Sequence, residues 1–272
     1  MKAITAKQLN LYFLFGISFL LAGFSYSCGT QGARGFNVFS LEDEMTLGQQ
    51  VKTEIESNPQ EYPILPEQGN QEIYTYIRGL SNSILNSGQL THKNDFAWEV
   101  KIIKDDETLN AFCTPGGYIY VYTGLIKYLD SEDELLGVLG HEIAHADLRH
   151  STRQLTKVMG LQVLMAVVSG NSDPTMVEQI ALALSSLKFS RTHETEADIH
   201  SVHYLCNSGY NAAGAAGFFK KIQGSGGTPP EFISTHPDPG NRVEQIELKE
   251  QELGCKGSNT NQSRYEQKKK LL

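Results

Sequence analysis

The sequence has no excess of positive charge, because 23 lysines and arginines stand against 31 aspartates and glutamates, for a net charge of −8. This acidity argues against a nucleic-acid partner. Internal repeats are also lacking, and 272 residues suit one domain with flexible ends. Beyond residue 24 no apolar run has the length of a membrane span, and VMGLQVLMAVV (158–168) is too short. We expect that run to pack in the core or over a cleft, with a dip into the membrane interface as the alternative.

The first 28 residues differ in composition from the rest of the chain. Two lysines precede the apolar stretch LYFLFGISFLLAGF (11–24), whose length suits a signal peptide. Cys28 follows, as in the lipobox of bacterial lipoproteins, although Ser25 stands where a branched apolar residue is usual. We therefore predict an exported, periplasmic protein that is lipid-anchored through Cys28, with simple secretion or an uncleaved anchor as alternatives. The predicted parts are a signal peptide at 1–28, a working domain at 29–255, and a polar, disordered tail at 256–272.

Cysteines are few, and three of the four lie in the predicted working domain. Export permits a disulfide, and Cys206 with Cys255 is a possible pair. Connectivity does not follow from sequence, so the pairing stays open. We interpret Cys113 as a small apolar residue next to a turn.

The segment HEIAH (141–145) carries two histidines and a glutamate within one turn of a predicted helix. Ser131 and Glu134 form a capping-box pattern, which predicts that this helix begins near Glu132 and continues through the motif. Most other residues of the helix are apolar, so the motif's polar groups would be costly to bury without a partner. The alternative is an exposed helix that carries charged residues.

Histidines four residues apart project from one helix face and can hold one metal ion. His141 and His145 have this spacing, and Glu142 is rotated so that it reaches the attacking water and not the metal. We therefore predict a zinc site. Two histidines alone do not complete it, since a catalytic zinc needs a third protein ligand and an open position.

The third ligand is expected from a later helix. In one class of zinc peptidase it is a histidine six residues after the second, but that position holds Ser151, and we interpret the neighbouring His150 as a surface residue. Another class uses a carboxylate, and FSRTHETEADIHSVHYL (189–205) offers Glu194 and Asp198 on one face. We predict Glu194 as the ligand and Asp198 as the outer partner that holds a ligand histidine by its other nitrogen. A charged surface helix is the alternative.

Four segments together resemble a known family: NAFCTPGGYIYVYTGL (110–125), GVLGHEIAHADLRH (137–150), FSRTHETEAD (189–198) and STHPDPGNR (234–242). They resemble the HtpX-like and CAAX prenyl endopeptidase family of gluzincins, nearest to its BepA- and LoiP-like periplasmic members. The resemblance covers about 41–250. It implies a mainly helical α+β, zincin-like fold with a small β-sheet whose edge strand borders the active-site cleft. We expect neither the tetratricopeptide array of BepA-like members nor the multiple membrane spans of HtpX-like members.

The resemblance also implies the site residues. His141, His145 and Glu194 would bind one zinc ion per chain, Glu142 would be the general base, and Asp198 would support a ligand. An extended substrate would add to an edge strand made by Asn110, Ala111 and Phe112.

Two further residues, His236 and Arg242, match the family's His-Pro-x-x-x-x-Arg pattern. A catalytic role would place them near the metal, where they stabilise an oxyanion. In some relatives the equivalent histidine acts as a latch on the open metal position. The alternatives are a structural loop histidine for His236 and a helix-capping ion pair for Arg242.

The resulting hypothesis is a zinc-dependent metalloendopeptidase that hydrolyses extended or misfolded envelope proteins. One competing hypothesis is a latched or inactive zinc-binding, chaperone-like lipoprotein, against which the retained Glu142 speaks. The other is an intramembrane processor of lipidated peptides, against which the lack of further membrane spans speaks. Polypeptides and a membrane are the expected partners, and the sequence does not give the oligomeric state.

Overall fold

The computed structural model describes residue 37 and residues 39–224, 231–238 and 240–272. The predicted signal peptide at 1–28, with Cys28, lies outside the described residues. The elements are α1 (Leu41–Ser57), α2 (Gln71–Leu85), β1 (Glu99–Ile103), β2 (Ala111–Thr114), β3 (Tyr118–Tyr122), α3 (Thr123–Tyr128), α4 (Glu132–Asp147), α5 (His150–Met159), α6 (Leu161–Val168), α7 (Thr175–Ser185), α8 (Arg191–Leu205), α9 (Gly214–Gly224), α10 (Glu231–Thr235), α11 (Arg242–Leu253) and α12 (Gln262–Lys269). Within the described ranges, no helix combines the length and apolar character that a membrane crossing requires.

The three strands form one sheet in the order β1–β3–β2. Strand β3 pairs in parallel with β1 and antiparallel with β2, so β2 lies at an edge. Successive side chains alternate between the two faces of a strand, and both faces are buried here. Ile119 and Val121 belong to one apolar cluster, whereas Phe112 and Tyr120 belong to the other. The predicted class, mainly helical α+β with a small sheet, is confirmed.

Helix α4 passes through the larger cluster and packs closely against α8 and α9. Close packing requires glycine on α4, because a Cβ at Gly137 would lie 2.2 Å from the backbone nitrogen of Ala215 on α9. A Cβ at Gly140 would lie 2.6 Å from the Ser201 hydroxyl of α8. Because these two glycines have no side chain, α8 and α9 can approach α4 closely, and the polar face of α4 lies directly against α8.

The start of α4 agrees with the prediction, but its cap does not. The helix begins at Glu132, yet the Ser131 hydroxyl makes no hydrogen bond to the backbone of the first turn and contacts Asp133 instead. The Glu134 carboxylate accepts a hydrogen bond from the backbone N–H of Asp130 at 2.8 Å. The predicted capping box is therefore wrong, because each side chain has a different nearby partner.

The predicted disordered tail is also wrong. Residues 262–269 form α12, and Tyr265 within it is fully buried and donates a hydrogen bond to the carbonyl oxygen of Ile126 at 2.7 Å. Arg264 forms a two-point ion pair with the buried Glu132 at the start of α4. A polar segment folds here because the buried ring of Tyr265 and ion pairs with Glu132 and Glu72 anchor it to the domain.

The cysteine predictions can be compared directly with the structure. Cys206 and Cys255 form a disulfide, which confirms the possible pair. It joins the end of α8 to the segment after α11. Cys113 is a free thiol that is buried on β2, as an apolar residue would be.

Candidate metal centre

Helix α4 carries the two histidines of the HEIAH motif into the interior. His141 and His145 are both buried, and their Nε2 atoms lie 3.0 Å apart. Their spacing of four residues places the rings one above the other on the same helix face. Glu142 is buried as well.

Helix α8 brings two carboxylates to this face. The hydroxyl of Ser190 caps α8 by accepting a hydrogen bond from the backbone N–H of His193. Glu194 places one oxygen 3.5 Å from Nε2 of His141 and the other 3.4 Å from Nε2 of His145. Asp198 lies on the far side of the first ring, 2.8 Å from Nδ1 of His141. Both carboxylates occupy the positions expected from their shared helix face.

His236 follows α10 and completes a four-residue cluster. Its Nδ1 atom lies 3.2 Å from Nε2 of His141 and 3.2 Å from Oε1 of Glu194. One ligand atom from each of His141, His145, Glu194 and His236 lies within 4.8 Å of the others, and all four residues are buried. On its other side, Nε2 of His236 lies 3.4 Å from Oε1 of Glu142.

Arg242 begins α11 and is almost completely buried beside both carboxylates. Its Nε donates to Asp198 at 2.7 Å, and one terminal nitrogen donates to Glu194 at 2.8 Å and to Asp198 at 2.9 Å. The other terminal nitrogen donates to the carbonyl oxygen of His236 at 3.2 Å. Each guanidinium nitrogen thus has a partner within the site, so the geometry favours the ion-pair interpretation over contact with an oxyanion.

The charges of the site perturb its pKa values in opposite directions. Burial disfavours the charged form of His141, but the hydrogen bond and charge of Asp198, with those of Glu194, outweigh burial and raise its pKa to about 9. Burial would raise the pKa of Glu194, yet the charge of His236 and the surrounding imidazoles hold it well below its usual range. Burial raises the pKa of Glu142 and lowers that of His145.

The residues fit a metal ion by their donor atoms and by one unmatched group. Imidazole nitrogens and a carboxylate oxygen are the ligands that zinc prefers in catalytic sites. Among the described residues, Oε1 of Glu142 is buried without a hydrogen-bond partner, and Nε2 of His236 at 3.4 Å is an ion-pair neighbour only. A buried oxygen without a hydrogen bond is costly unless a further group provides one. A bound metal ion with its water would supply that partner.

His150, predicted to lie at the surface, is fully buried, so that prediction is wrong. Its Nδ1 lies 3.0 Å from Nδ1 of His145, and its Nε2 lies 3.0 Å from Oε2 of Glu196 on α8. Burial lowers the pKa of His150, although the nearby Glu196 opposes this. The position of His150, five residues after His145, did not predict this contact, because residues five apart do not share a helix face. The chain turns between α4 and α5 at Arg149, which has φ = 59°, and this turn brings His150 back to His145.

Strand β2, which contains two of the three predicted substrate-binding residues, lies at the sheet edge, and the side chains of these residues point in different directions. Ala111 opens β2, and its backbone N–H donates to the side-chain oxygen of Asn110 at 3.0 Å. Phe112 stacks on Tyr120 inside the second apolar cluster. The carbonyl oxygen of Cys113 accepts from the hydroxyl of Ser151 at 3.3 Å. Phe112 therefore contributes only backbone atoms to this edge.

Comparison with known proteins gives consistent matches. The model of Peptidase family M48 matches residues 74–250. The mitochondrial metalloendopeptidase OMA1 of Arabidopsis thaliana is 34% identical over 54% of this chain and 30% of its own length. The mitochondrial metalloendopeptidase OMA1 of Schizosaccharomyces pombe is 31% identical over 79% of this chain and 63% of its own length. The metalloprotease LoiP of Escherichia coli is 27% identical over 80% of this chain and 85% of its own length. The chain thus spans less than two thirds of either OMA1 protein.

Proposed function

The chain belongs to peptidase family M48, and from this premise we propose that it is a zinc-dependent metalloendopeptidase. Membership confirms the family resemblance inferred from the four sequence segments. The observation that carries the proposal is the buried convergence of His141, His145, Glu194 and His236 beside the unmatched oxygen of Glu142. A structural metal site has no use for a base at that position.

His141, His145 and Glu194 are the proposed zinc ligands. Bound zinc supplies a Lewis acid that polarises the scissile carbonyl and lowers the pKa of the attacking water. Glu142 takes a proton from that water at Oε1 and delivers it to the leaving amine nitrogen. In the metal-free site, burial raises the pKa of Glu142.

Two residues of the C-terminal segment support the ligands in this proposal. Arg242 holds the carboxylates of Glu194 and Asp198 in place, and Asp198 in turn orients the ring of His141. Arg242 is therefore proposed as a positioning residue and not as an oxyanion donor. Its separate hydrogen bond to the His236 carbonyl oxygen ties the loop after α10 to the same group.

His236 is proposed to be a latch. Its Nδ1 lies 3.2 Å from both Nε2 of His141 and Oε1 of Glu194, and its Nε2 lies 3.4 Å from Oε1 of Glu142, the proposed base. With zinc bound by the other three residues, a side chain in this position would block the open position that a substrate carbonyl needs. Turnover then requires the loop that carries His236 to move, and this position also favours the second candidate, a latched zinc-binding protein without activity.

The substrate is proposed to be an extended polypeptide. Strand β2 is an edge strand packed against α4, so a substrate strand can add to its outer side through backbone hydrogen bonds. The side chain of Asn110 already bonds the backbone N–H of Ala111, and an incoming strand would compete for this donor. Backbone recognition suits unfolded chains, since it reads little of the side-chain sequence.

The location is proposed from the N-terminal segment and from relatives. The β-barrel assembly-enhancing protease of Yersinia pestis is 28% identical over 75% of the chain, which supports an envelope role, and we propose misfolded envelope proteins as substrates. The lipobox-like Cys28 supports a lipid anchor at a bacterial membrane. The relatives called OMA1 are mitochondrial by name, so family membership does not specify the compartment.

One set of measurements tests activity and latch together. The full-length chain, Glu142→Gln and His236→Ala are assayed for zinc content and casein cleavage. We expect one zinc per chain in all three, loss of cleavage in Glu142→Gln, and faster cleavage in His236→Ala. Zinc without cleavage in any variant would support the inactive alternative, and a wild-type chain without zinc would refute the metal centre.

A further inference from the structure

A chain of three side chains leads from the proposed metal ligand His145 towards the surface. His150 lies between His145 and Glu196, with a nitrogen 3.0 Å from each partner. His145 and His150 are fully buried, whereas the side chain of Glu196 is 26% exposed. The proposed mechanism assigns no role to His150 or to Glu196.

The proton positions in this chain follow from the chemistry of its ends. A carboxylate only accepts hydrogen bonds, so the contact with Glu196 requires a proton on Nε2 of His150. A neutral His150 then has a lone pair on Nδ1, and Nδ1 of His145 must carry the proton between the two rings. His145 is thereby left with a lone pair on Nε2, which lies 3.0 Å from Nε2 of His141. The nearest oxygen of Glu194 is 3.4 Å from this nitrogen, longer than the usual range of about 2.7–3.2 Å for an N–H···O hydrogen bond, so it does not require a proton there.

We propose that His150 and Glu196 are a positioning pair that fixes the tautomer of His145 in which Nε2 can bind the metal. The inference rests on the metal centre proposed above. It completes a parallel with His141, whose Nδ1 contacts the carboxylate of Asp198 directly. Each histidine ligand thus has a carboxylate behind it, and in the second case an imidazole lies between ligand and carboxylate.

Ring stacking holds the imidazoles of His145 and His150 in a fixed orientation. His193 stacks on His150 with ring centroids 4.2 Å apart and an angle of 11° between the planes. Phe189 stacks on His145 with a centroid distance of 3.9 Å. The stacks restrict rotation of both rings, so the contact between their Nδ1 atoms has a defined geometry.

Two substitutions at one position separate tautomer control from packing. An asparagine side chain keeps a hydrogen-bond acceptor close to the position of Nδ1, whereas leucine fills a similar volume without one. Both His150→Asn and His150→Leu lose the ring stack and the contact with Glu196. The unfolding free energy of each metal-free variant is measured as well, so that a loss of folding is separated from a loss of metal binding.

The readout is zinc affinity of the full-length chain, measured by competition with a chromophoric chelator. Loss of a supporting partner weakens metal binding by about 10- to 100-fold, and we expect this loss in His150→Leu. His150→Asn should stay within a few-fold of wild type. Equal affinity of the two variants would overturn the inference, while the wild-type measurement independently tests the metal centre.

A second measurement needs no variant. Nitrogen NMR of the metal-free chain with labelled histidines reports which ring nitrogen carries the proton. We expect the proton of His145 on Nδ1. A proton on Nε2 of His145 would overturn the inference even if His150→Leu failed to fold.

Discussion

The buried guanidinium of Arg242 provides a quantitative test of the site, through Arg242→Met. The wild-type side chain is 1% exposed and donates to both Asp198 and Glu194. Methionine fills much of the volume but removes the arginine cation from two buried carboxylates, which then keep their contacts with the imidazoles of His141 and His236. Breaking a buried ion pair by removing one partner costs about 3–5 kcal/mol. We expect a loss of this size in the unfolding free energy of the metal-free chain.

The assay is urea unfolding of the chelator-treated chain with its disulfide intact. A matched control is Arg78→Met, which removes a two-point arginine–glutamate pair at the surface. Arg78 and Glu67 are 38% and 43% exposed, so water replaces the lost partner and the cost should not exceed about 1 kcal/mol. Arg78 also donates to the carbonyl oxygen of Val100 and lies over the ring of Tyr74, and Glu67 keeps Lys101 as a second cation. The control therefore gives the cost of losing an arginine whose carboxylate partner remains in contact with water.

A double-mutant cycle then identifies the source of the loss. Asp198→Asn replaces the carboxylate by an amide that costs less to bury unpaired. In the background of Arg242→Met it should recover part of the lost stability, with a coupling energy of about 1–3 kcal/mol. Equal losses for Arg242→Met and Arg78→Met, or additive effects in the cycle, would refute the assignment of Arg242 as the cation that holds the buried carboxylates.

Three further predictions concern the surrounding domain and are checked by unfolding free energy. Gly137→Ala should cost about 1–3 kcal/mol, because its Cβ would lie 2.2 Å from a backbone nitrogen of α9. Gly79→Ala is the control: its Cβ would lie in open space, and the substitution should gain about 0.5–1 kcal/mol. Equal effects of the two substitutions would contradict this. Replacing Cys206 and Cys255 by serine opens a loop with a separation of 49 residues and should cost about 4 kcal/mol, and no loss would contradict the closed loop. Burial would raise the pKa of Glu132, but hydrogen bonds from an arginine, an asparagine and two tyrosines lower it. A carboxylate with a lowered pKa stabilises the fold at pH values above its pKa in the unfolded chain, and this stabilisation is lost as the pH falls through its pKa in the folded chain. Glu132→Gln should therefore cost about 1.5–3 kcal/mol of unfolding free energy at pH 7 and less in acid. A cost that does not change with pH would contradict this.

Local periodicity predicted the parts of the site that lie within one helix. Two histidines four residues apart, with a glutamate after the first, must share a face of α4, and the spacing of Glu194 and Asp198 does the same for α8. The start of α4 at Glu132 was also predicted correctly, although from a capping-box pattern whose hydrogen bonds the structure does not contain. These features depend on neighbours a few residues away, which the sequence lists in order.

Contacts between distant segments required the tertiary structure. His150 is buried because α8 brings Glu196 against it, and α12 is ordered because Tyr265 reaches the carbonyl oxygen of Ile126. Arg242 is committed to carboxylates that lie 44 and 48 positions earlier in the chain. The sequence by itself determined which helix faces carry the metal-binding groups. Only the tertiary structure decided what stands behind each group, since a side chain's partners and burial depend on the helices packed against it.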